Sequence, residues 1–290
     1  MDYRKKFAVK PGHHVQLAKI DPSYTGKHLT HAKARPEIQQ YVARMDALQY
    51  LLYADGNQSL LVVLQGLDAA GKDGVIRHLF TGMNPQGTSV HCFKQPSHEE
   101  SAHDFLWRAH LHTPGRGEVM IFNRSHYEDV LVVRVHNLVP PAVWSKRYEL
   151  INDFEKMLVG NGTRILKFLL HISPEAQLDR FRERLEDKSR QWKISESDYV
   201  ERAFWPQYIE AYEEVLARTS TKHAPWYVIP SNHKWFRNLA ISQIVTKTLD
   251  ELGLKLPPTH VDIADIRARY HAAEEAEQKA GRRKSGRRRG

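Results

Sequence analysis

Cysteine is nearly absent from this chain: among 290 residues only Cys92 carries a thiol. One thiol closes no intramolecular disulfide, and without a thiol partner it supports no cysteine-based metal site, so a reducing compartment fits. Also missing is any stretch close to the ~18 consecutive apolar residues of a membrane-spanning helix. The amino terminus, Met1-Asp2-Tyr3-Arg4-Lys5-Lys6-Phe7, has no apolar run of the kind a signal peptide requires. Together these absences give the expectation of a cytoplasmic protein with no membrane partner. Internal repeats are lacking as well, which excludes a solenoid.

Acid is absent from one segment. The last twelve residues hold Lys279, Arg282, Arg283, Lys284, Arg287, Arg288 and Arg289 without a single Asp or Glu. Removing those seven charges from the formal net charge of +9 leaves +2 for the rest, so the globular part is nearly balanced. A basic nucleic-acid-binding domain is therefore not indicated. The tail alone is left as a surface for nucleic acid or another polyanion, or as a solvated disordered terminus.

What is present is the composition of a folded protein. Hydrophobic residues make up 41% and charged residues 27%, which excludes wholesale disorder. Residues 1–36 mix Pro, Gly, His and Lys without periodicity and suggest an arm draped over the domain. Ile38, Tyr41, Val42, Met45, Leu48, Leu51 and Leu52 then recur at helical spacing and end at Asp55-Gly56-Asn57.

Five short apolar runs follow, at residues 60–64, 89–93, 119–122, 165–170 and 226–229. Helical stretches lie between and after them, at about 73–82, 98–112, 143–160, 174–187, 196–219 and 233–252. Strands alternating with helices imply βαβ units, hence an α/β fold with a parallel sheet and helices on both faces. The expected divisions are an arm over 1–36, an α/β domain over 37–256, a helix over 257–278 and a basic disordered tail over 279–290.

The first apolar run leads directly into Gly66-Leu67-Asp68-Ala69-Ala70-Gly71-Lys72-Asp73-Gly74. Gly-x-x-x-x-Gly-Lys between a buried strand and a helix is a phosphate-binding loop (Walker A) in its confirming context. Gly66 and Gly71 allow backbone amides to converge on phosphate oxygens, the helix amino terminus faces the same anion, and Lys72 adds a mobile charge. Asp73 stands where Ser or Thr usually ligates magnesium. Two carboxylates beside phosphate repel it unless cations intervene, so Asp68 is read as the metal anchor, with Asp73 assisting.

Val119-Met120-Ile121-Phe122 runs into Asn123-Arg124-Ser125-His126-Tyr127-Glu128-Asp129, placing polar groups at a strand's carboxyl end, where ligands bind in open α/β sheets. Arg124 is read as a phosphate clamp, with an ordinary helix start as the alternative. Lys94 follows the second strand and is a candidate nucleotide contact. Ser173-Pro174 opens a helix rich in cations, on which Arg180 and Arg184 share a face and Lys188 extends the row. That face is either solvated or a lid closing over phosphate. The 17 histidines are scattered without ligand spacing and are read as structural.

Several of these segments together resemble the polyphosphate kinase 2 family. They are the phosphate loop, Phe93-Lys94-Gln95-Pro96-Ser97, Asp104-Phe105-Leu106-Trp107-Arg108, the segment from Phe122 to Val132, and Ala224-Pro225-Trp226-Tyr227-Val228-Ile229-Pro230. They occur in the family's order and span roughly residues 8–256. The resemblance implies a P-loop NTPase-like, thymidylate-kinase-like fold with a helical lid near 178–200. It implies magnesium, or manganese in its place, and transfer of a phosphoryl group between inorganic polyphosphate and nucleotides.

Carried over by position, Asp68 matches the family's metal-binding aspartate, Lys72 its loop lysine, Arg124 the arginine after the strand and Arg184 a lid arginine. Other members read Phe-Asp-Arg-Ser-Trp-Tyr-Asn where this chain has Phe122 to Glu128. That departure resembles the subgroup acting on nucleoside mono- and diphosphates, so AMP, ADP and ATP are the expected nucleotides, with guanine nucleotides beside them. Asn123 becomes an acceptor-site candidate and Glu128 an acceptor- or metal-site candidate. Gly66, Ala69, Ala70, Gly71, Lys72, Asp73, Gly74, Arg77, Arg134, Arg180 and Lys188 are expected along the polyphosphate path. The family also implies a homo-oligomer, dimer or tetramer. Two alternatives stay open: an ATP-dependent nucleoside monophosphate kinase, and a nucleotide-gated protein that binds nucleic acid through its tail.

Overall fold

The computed structural model describes residues 1–286, with side chains through Lys279. The chain falls into two units, Met1–Lys255 and Leu256–Gly290. In the first, five parallel strands form one sheet: β1 (Ser59–Gln65), β2 (Thr88–Cys92), β3 (Val119–Asn123), β4 (Thr163–His171) and β5 (Trp226–Pro230), in spatial order β2-β3-β1-β4-β5. Each coincides with one of the five apolar runs.

The helices are α1 (Tyr3–Phe7), α2 (His31–Asp55), α3 (Lys72–Phe80), α4 (His98–Ala102), α5 (Trp107–His110), α6 (Val132–Val135), α7 (Pro141–Gly160), α8 (Pro174–Glu186), α9 (Glu196–Arg202), α10 (Trp205–Thr219) and α11 (Lys234–Asp250). The second unit carries α12 (Ile263–Gly286). The expected tail 279–290 begins inside α12, and 287–290 lie outside the described residues.

β1 is buried along its whole length because it lies between β3 and β4 and both of its faces are covered. Leu60, Val62 and Leu64 face a core shared with α2, α3 and α11, whereas Leu61 and Val63 face one shared with α7 and α10. This is the period-2 alternation of a strand, hidden in the sequence because both sides are apolar. Lys167 interrupts the run of β4 on the second face. It is fully buried, and its Nζ donates to Glu155 Oε2 at 2.5 Å, Tyr127 Oη at 2.9 Å and the Thr219 carbonyl at 2.7 Å.

Four expectations change. Residues 1–36 are more than a draped arm: Tyr3, Phe7, Val9 and Leu17 are buried in the two cores, and Val9 donates its amide to the Trp226 carbonyl at 2.8 Å, shielding the edge of β5. The aromatic residues sit singly among lysines, so no periodicity advertises them. The stretch 98–112 is two short helices; Ser97 and Glu100 form a capping box at α4, and Asp104 Oδ1 accepts from the Leu106 amide at 2.9 Å in the break before α5. The stretch 196–219 breaks at Ala203–Phe204, where Pro206 suits the first turn of α10. Finally, α8 ends at Glu186, so Lys188 does not continue the row of Arg180 and Arg184.

Among the described residues, no helix is long and apolar enough to cross a membrane.

Candidate active site at the phosphate loop

β1 ends at Gln65 and the chain turns sharply at Gly66, where φ is 151° and an added Cβ would lie 2.9 Å from the Leu170 carbonyl oxygen. Gly71 caps α3 with φ 105° and no side-chain hydrogen bond, so the first amides of α3 keep their donors for an anion. Lys72 folds back across the loop, its Nζ donating to the Gly66 carbonyl at 2.6 Å and to the Leu67 carbonyl at 3.3 Å. Burial lowers the pKa of this ammonium, and the charge of Asp68 works against that shift.

The adjacent strand β3 delivers Asn123 and Arg124 to the same edge. Arg124 has a left-handed backbone (φ 60°), an uncommon conformation for a residue with a side chain and one that concentrates at functional sites. Its guanidinium lies 3.0 Å from Asp68 Oδ1 and 3.9 Å from Glu128 Oε2. Burial raises the pKa of Glu128 despite the charges of Arg124 and Lys72. Asn123 Nδ2 donates to Asp73 Oδ1 at 3.2 Å, and Lys193 approaches Asp73 Oδ2 at 3.3 Å. Burial alone would raise the Asp73 carboxyl, but hydrogen bonds from Lys193 and Asn123 bring it below its usual range.

Two cavities meet here. The larger, about 750 Å³, is lined by Lys72, Arg77, Arg124, Arg180, Arg184 and further cations, together with the loop and Asn123. The smaller, about 240 Å³, is lined by Glu128, Asp198, Glu201, Trp205, Tyr208 and Tyr212 among others. Asp68 and Arg124 line both. A second ion pair, Arg184 with Asp198 at 3.1 Å, joins a wall of the cationic cavity to a wall of the other. Burial and the negative charge of Asp68 raise the Asp198 pKa.

The profile described as Polyphosphate kinase 2 (PPK2) matches residues 28–255. The chain belongs to the polyphosphate kinase 2 family. A protein of Meiothermus ruber named AMP/ADP-polyphosphate phosphotransferase is 48% identical over 254 residues, covering 87% of this chain and 95% of that one. A Rhodopseudomonas palustris protein named ADP-polyphosphate phosphotransferase is 42% identical, covering 88% and 92%. The crystal structure of polyphosphate kinase 2 from Arthrobacter aurescens TC1 superposes with a TM-score of 0.88 at 40% identity, covering 91% and 95%. The parallel α/β sheet expected from the strand pattern, and the P-loop kinase-like fold that the resemblance implies, are thus the fold observed.

Within this family frame, three candidates lie away from the loop. Arg134 pairs with Glu210 at 2.6 Å and with Glu214, and its guanidinium stacks on Trp144, so its charge is already neutralised. Lys94 and Lys188 are exposed and line neither cavity. Arg180 is buried behind the loop and donates to the carbonyls of Ala69, Ala70, Ser231 and Asn232, which makes it a strut for the loop rather than a free phosphate clamp.

Sequence reasoning missed Asp198, Trp205, Tyr208 and Arg237, all of which line the cavities. For Arg237 a signal existed: the strand end Ile229-Pro230 leads into His233-Lys234-Trp235-Phe236-Arg237, the same arrangement that drew attention to Arg124.

Proposed function

We propose that this protein is a magnesium-dependent polyphosphate kinase that transfers a phosphoryl group reversibly between inorganic polyphosphate and nucleotides, AMP to ADP and ADP to ATP. The observation that carries this reading is the meeting of two unlike cavities on one phosphate loop. The cationic cavity matches a polyanion, and Trp192 is the one aromatic residue in its wall among the described residues, leaving little to hold a donor's base. The smaller cavity combines Trp205, Tyr208 and Tyr212 with carboxylates, a lining suited to a nucleoside. An ATP-dependent monophosphate kinase needs a base site on each side of the loop. The name of the Meiothermus ruber relative agrees with both AMP and ADP as acceptors.

In the transfer, a terminal phosphate oxygen of the acceptor attacks the end phosphorus of the chain in line. The bond to the next bridging oxygen breaks, and the shortened polyphosphate leaves as an ionised phosphate. The attacking oxygen is already ionised, so the protein needs no strong general base; positioning and charge stabilisation suffice. Lys72 and Arg124 neutralise the transferring group, Arg184 and Arg77 hold the chain, and the amides of α3 receive a phosphate. Arg180 fixes the loop and Glu128 borders the acceptor, whereas Asn123, expected on the acceptor side, lines the cationic cavity beside Asp73.

The donor chemistry fits a magnesium ion: Asp68 and Asp73 are hard carboxylate oxygens at the loop. Magnesium takes oxygen ligands and is commonly held by one or two carboxylates together with substrate phosphates. Asp68 would hold such an ion, with Asp73 beside it, and the ion would neutralise charge on the phosphate oxygens. The resemblance further leads us to place the enzyme in the cytoplasm as a homodimer or homotetramer, with guanine nucleotides among its acceptors.

The test is incubation with AMP or ADP, magnesium and polyphosphate in the absence of ATP, followed by chromatography of the nucleotides, alongside Lys72→Ala. Formation of ADP or ATP that disappears in the variant is expected. No product from either acceptor would remove the reading.

A further inference from the structure

Arg237 sits on the first turn of α11, only 3% exposed, against the cationic cavity behind the phosphate loop. Its Nε and Nη2 both donate to Asn238 Oδ1, at 3.2 and 2.9 Å, whereas Nη1 reaches only the Ala70 carbonyl at 3.4 Å. Among the described residues no carboxylate forms an ion pair with it. Burial, followed by the charge of nearby Arg180, lowers its pKa to about 9. The two arginines differ in kind: Arg180 has four carbonyl acceptors, and Arg237 has a donor left over.

Buried charges in folded proteins are almost always paired, and an arginine held this deep without an acid is an unusual expense of folding. The glycines of the loop are what allow it to approach. A Cβ at Gly71 would lie 1.9 Å from Arg237 Nη1, and one at Gly74 would lie 2.9 Å from Nη2. The guanidinium therefore lies directly against the first turn of α3, whose amides already favour an anion. Two independent sources of positive potential, one from the backbone and one from a side chain, border the same part of the cavity.

We propose that Arg237 is an anion-binding residue of the donor site, where Nη1 takes a non-bridging oxygen of a phosphate in the polyphosphate chain and the guanidinium stays uncompensated until that phosphate arrives. This rests on the reading of the cationic cavity as the polyphosphate site. It follows that the unliganded enzyme trades stability for affinity at this residue.

Thermal unfolding of the full chain with and without inorganic tripolyphosphate, together with KM values for polyphosphate and ADP, tests this. Arg237→Met keeps the volume and removes the charge. It is expected to unfold no earlier than the wild type without anion, to lose most of the rise in Tm caused by tripolyphosphate, and to raise KM for polyphosphate about tenfold at unchanged KM for ADP. Arg237→Lys keeps the charge without the fork and is expected to retain part of the shift. A full tripolyphosphate shift and an unchanged polyphosphate KM in Arg237→Met would overturn the proposal. So would Arg237→Lys behaving like a variant without charge, which also decides the matter if Arg237→Met does not fold. A wild-type protein showing neither the shift nor transfer from polyphosphate defeats the donor reading itself, whereas a wild type that shows both beside an unaffected Arg237→Met defeats only the assignment of Arg237.

Discussion

Arg124 and Asp68 form a 3.0 Å ion pair at the seam shared by the two cavities, and Arg124 reaches it from a left-handed backbone. The guanidinium faces Glu128 as well, at 3.9 Å. A planar fork can hold two carboxylates and a phosphate in fixed directions, whereas an ammonium acts as a point charge. Arg124→Lys is therefore expected to lower kcat about 10²-fold while leaving the far-ultraviolet circular dichroism unchanged. Wild-type turnover in this variant would show that charge alone suffices at the seam.

Asp68 has a second role if it anchors the magnesium carried by the phosphates. Asp68→Asn removes the charge with almost no change of volume. The magnesium concentration giving half-maximal transfer should rise, and saturating magnesium should restore only part of the rate. A magnesium titration superimposable on that of the wild type would detach Asp68 from the metal.

The acceptor side is separable from the donor side in kinetics. Trp205 borders the smaller cavity, and aromatic contact with a base is worth enough that Trp205→Ala should raise KM for AMP and ADP about tenfold. KM for polyphosphate should not move, because Trp205 does not border the cationic cavity. A parallel rise in both constants would place Trp205 in general lid closure instead.

The parts of this site readable from sequence are those set by local chain geometry. A buried strand, two glycines and a lysine specify the loop within nine residues, and Asn123-Arg124 sits at a strand end that a run of apolar residues announces. Arg180 was recognisable as a cation on the correct helix face, but its burial against four carbonyls depends on the Ser231–Asn232 turn, far away in sequence. Asp198 and Trp205 come from helices separated by a break at Ala203–Phe204, so a single continuous periodicity hides their convergence. Arg134 misled for the converse reason: its neutralising partners, Glu210 and Glu214, lie on α10. Val9 became a core residue because β5 exposes an edge to cover, and Tyr3 and Phe7 because they pack on Phe236 of α11, facts of the tertiary fold that no window of sequence contains.

Lys167 on β4 and Glu155 on α7 form a fully buried pair, completed by Tyr127 and the Thr219 carbonyl. Removing one partner leaves an isolated buried charge and an emptied hydrogen-bonding site, which costs about 3–5 kcal/mol. Glu155→Leu or Lys167→Met alone should show such a loss in denaturant unfolding. The double variant should be less destabilised than the two single losses summed, since no unpaired charge remains. Simple additivity would mean that the pair contributes through packing alone.

His78 on α3 supplies the pH dependence that can be assigned to one group. Its Nε2 lies 2.7 Å from Ser242 Oγ, and burial, followed by the charge of Arg237, lowers its pKa from 6.5 to about 4. Between those values the unfolded chain binds a proton at this residue and the folded protein does not, so stability rises with pH across that window and is lost as pH falls from 6.5 towards 4. The contribution is at most roughly 3 kcal/mol, and above about pH 7 it no longer changes. His78→Gln keeps a hydrogen-bonding group toward Ser242 without titrating. Unfolding free energies measured from pH 7 to pH 4 should therefore fall less steeply for the variant than for the wild type, and equal slopes would show that other groups set the acid limit of the fold.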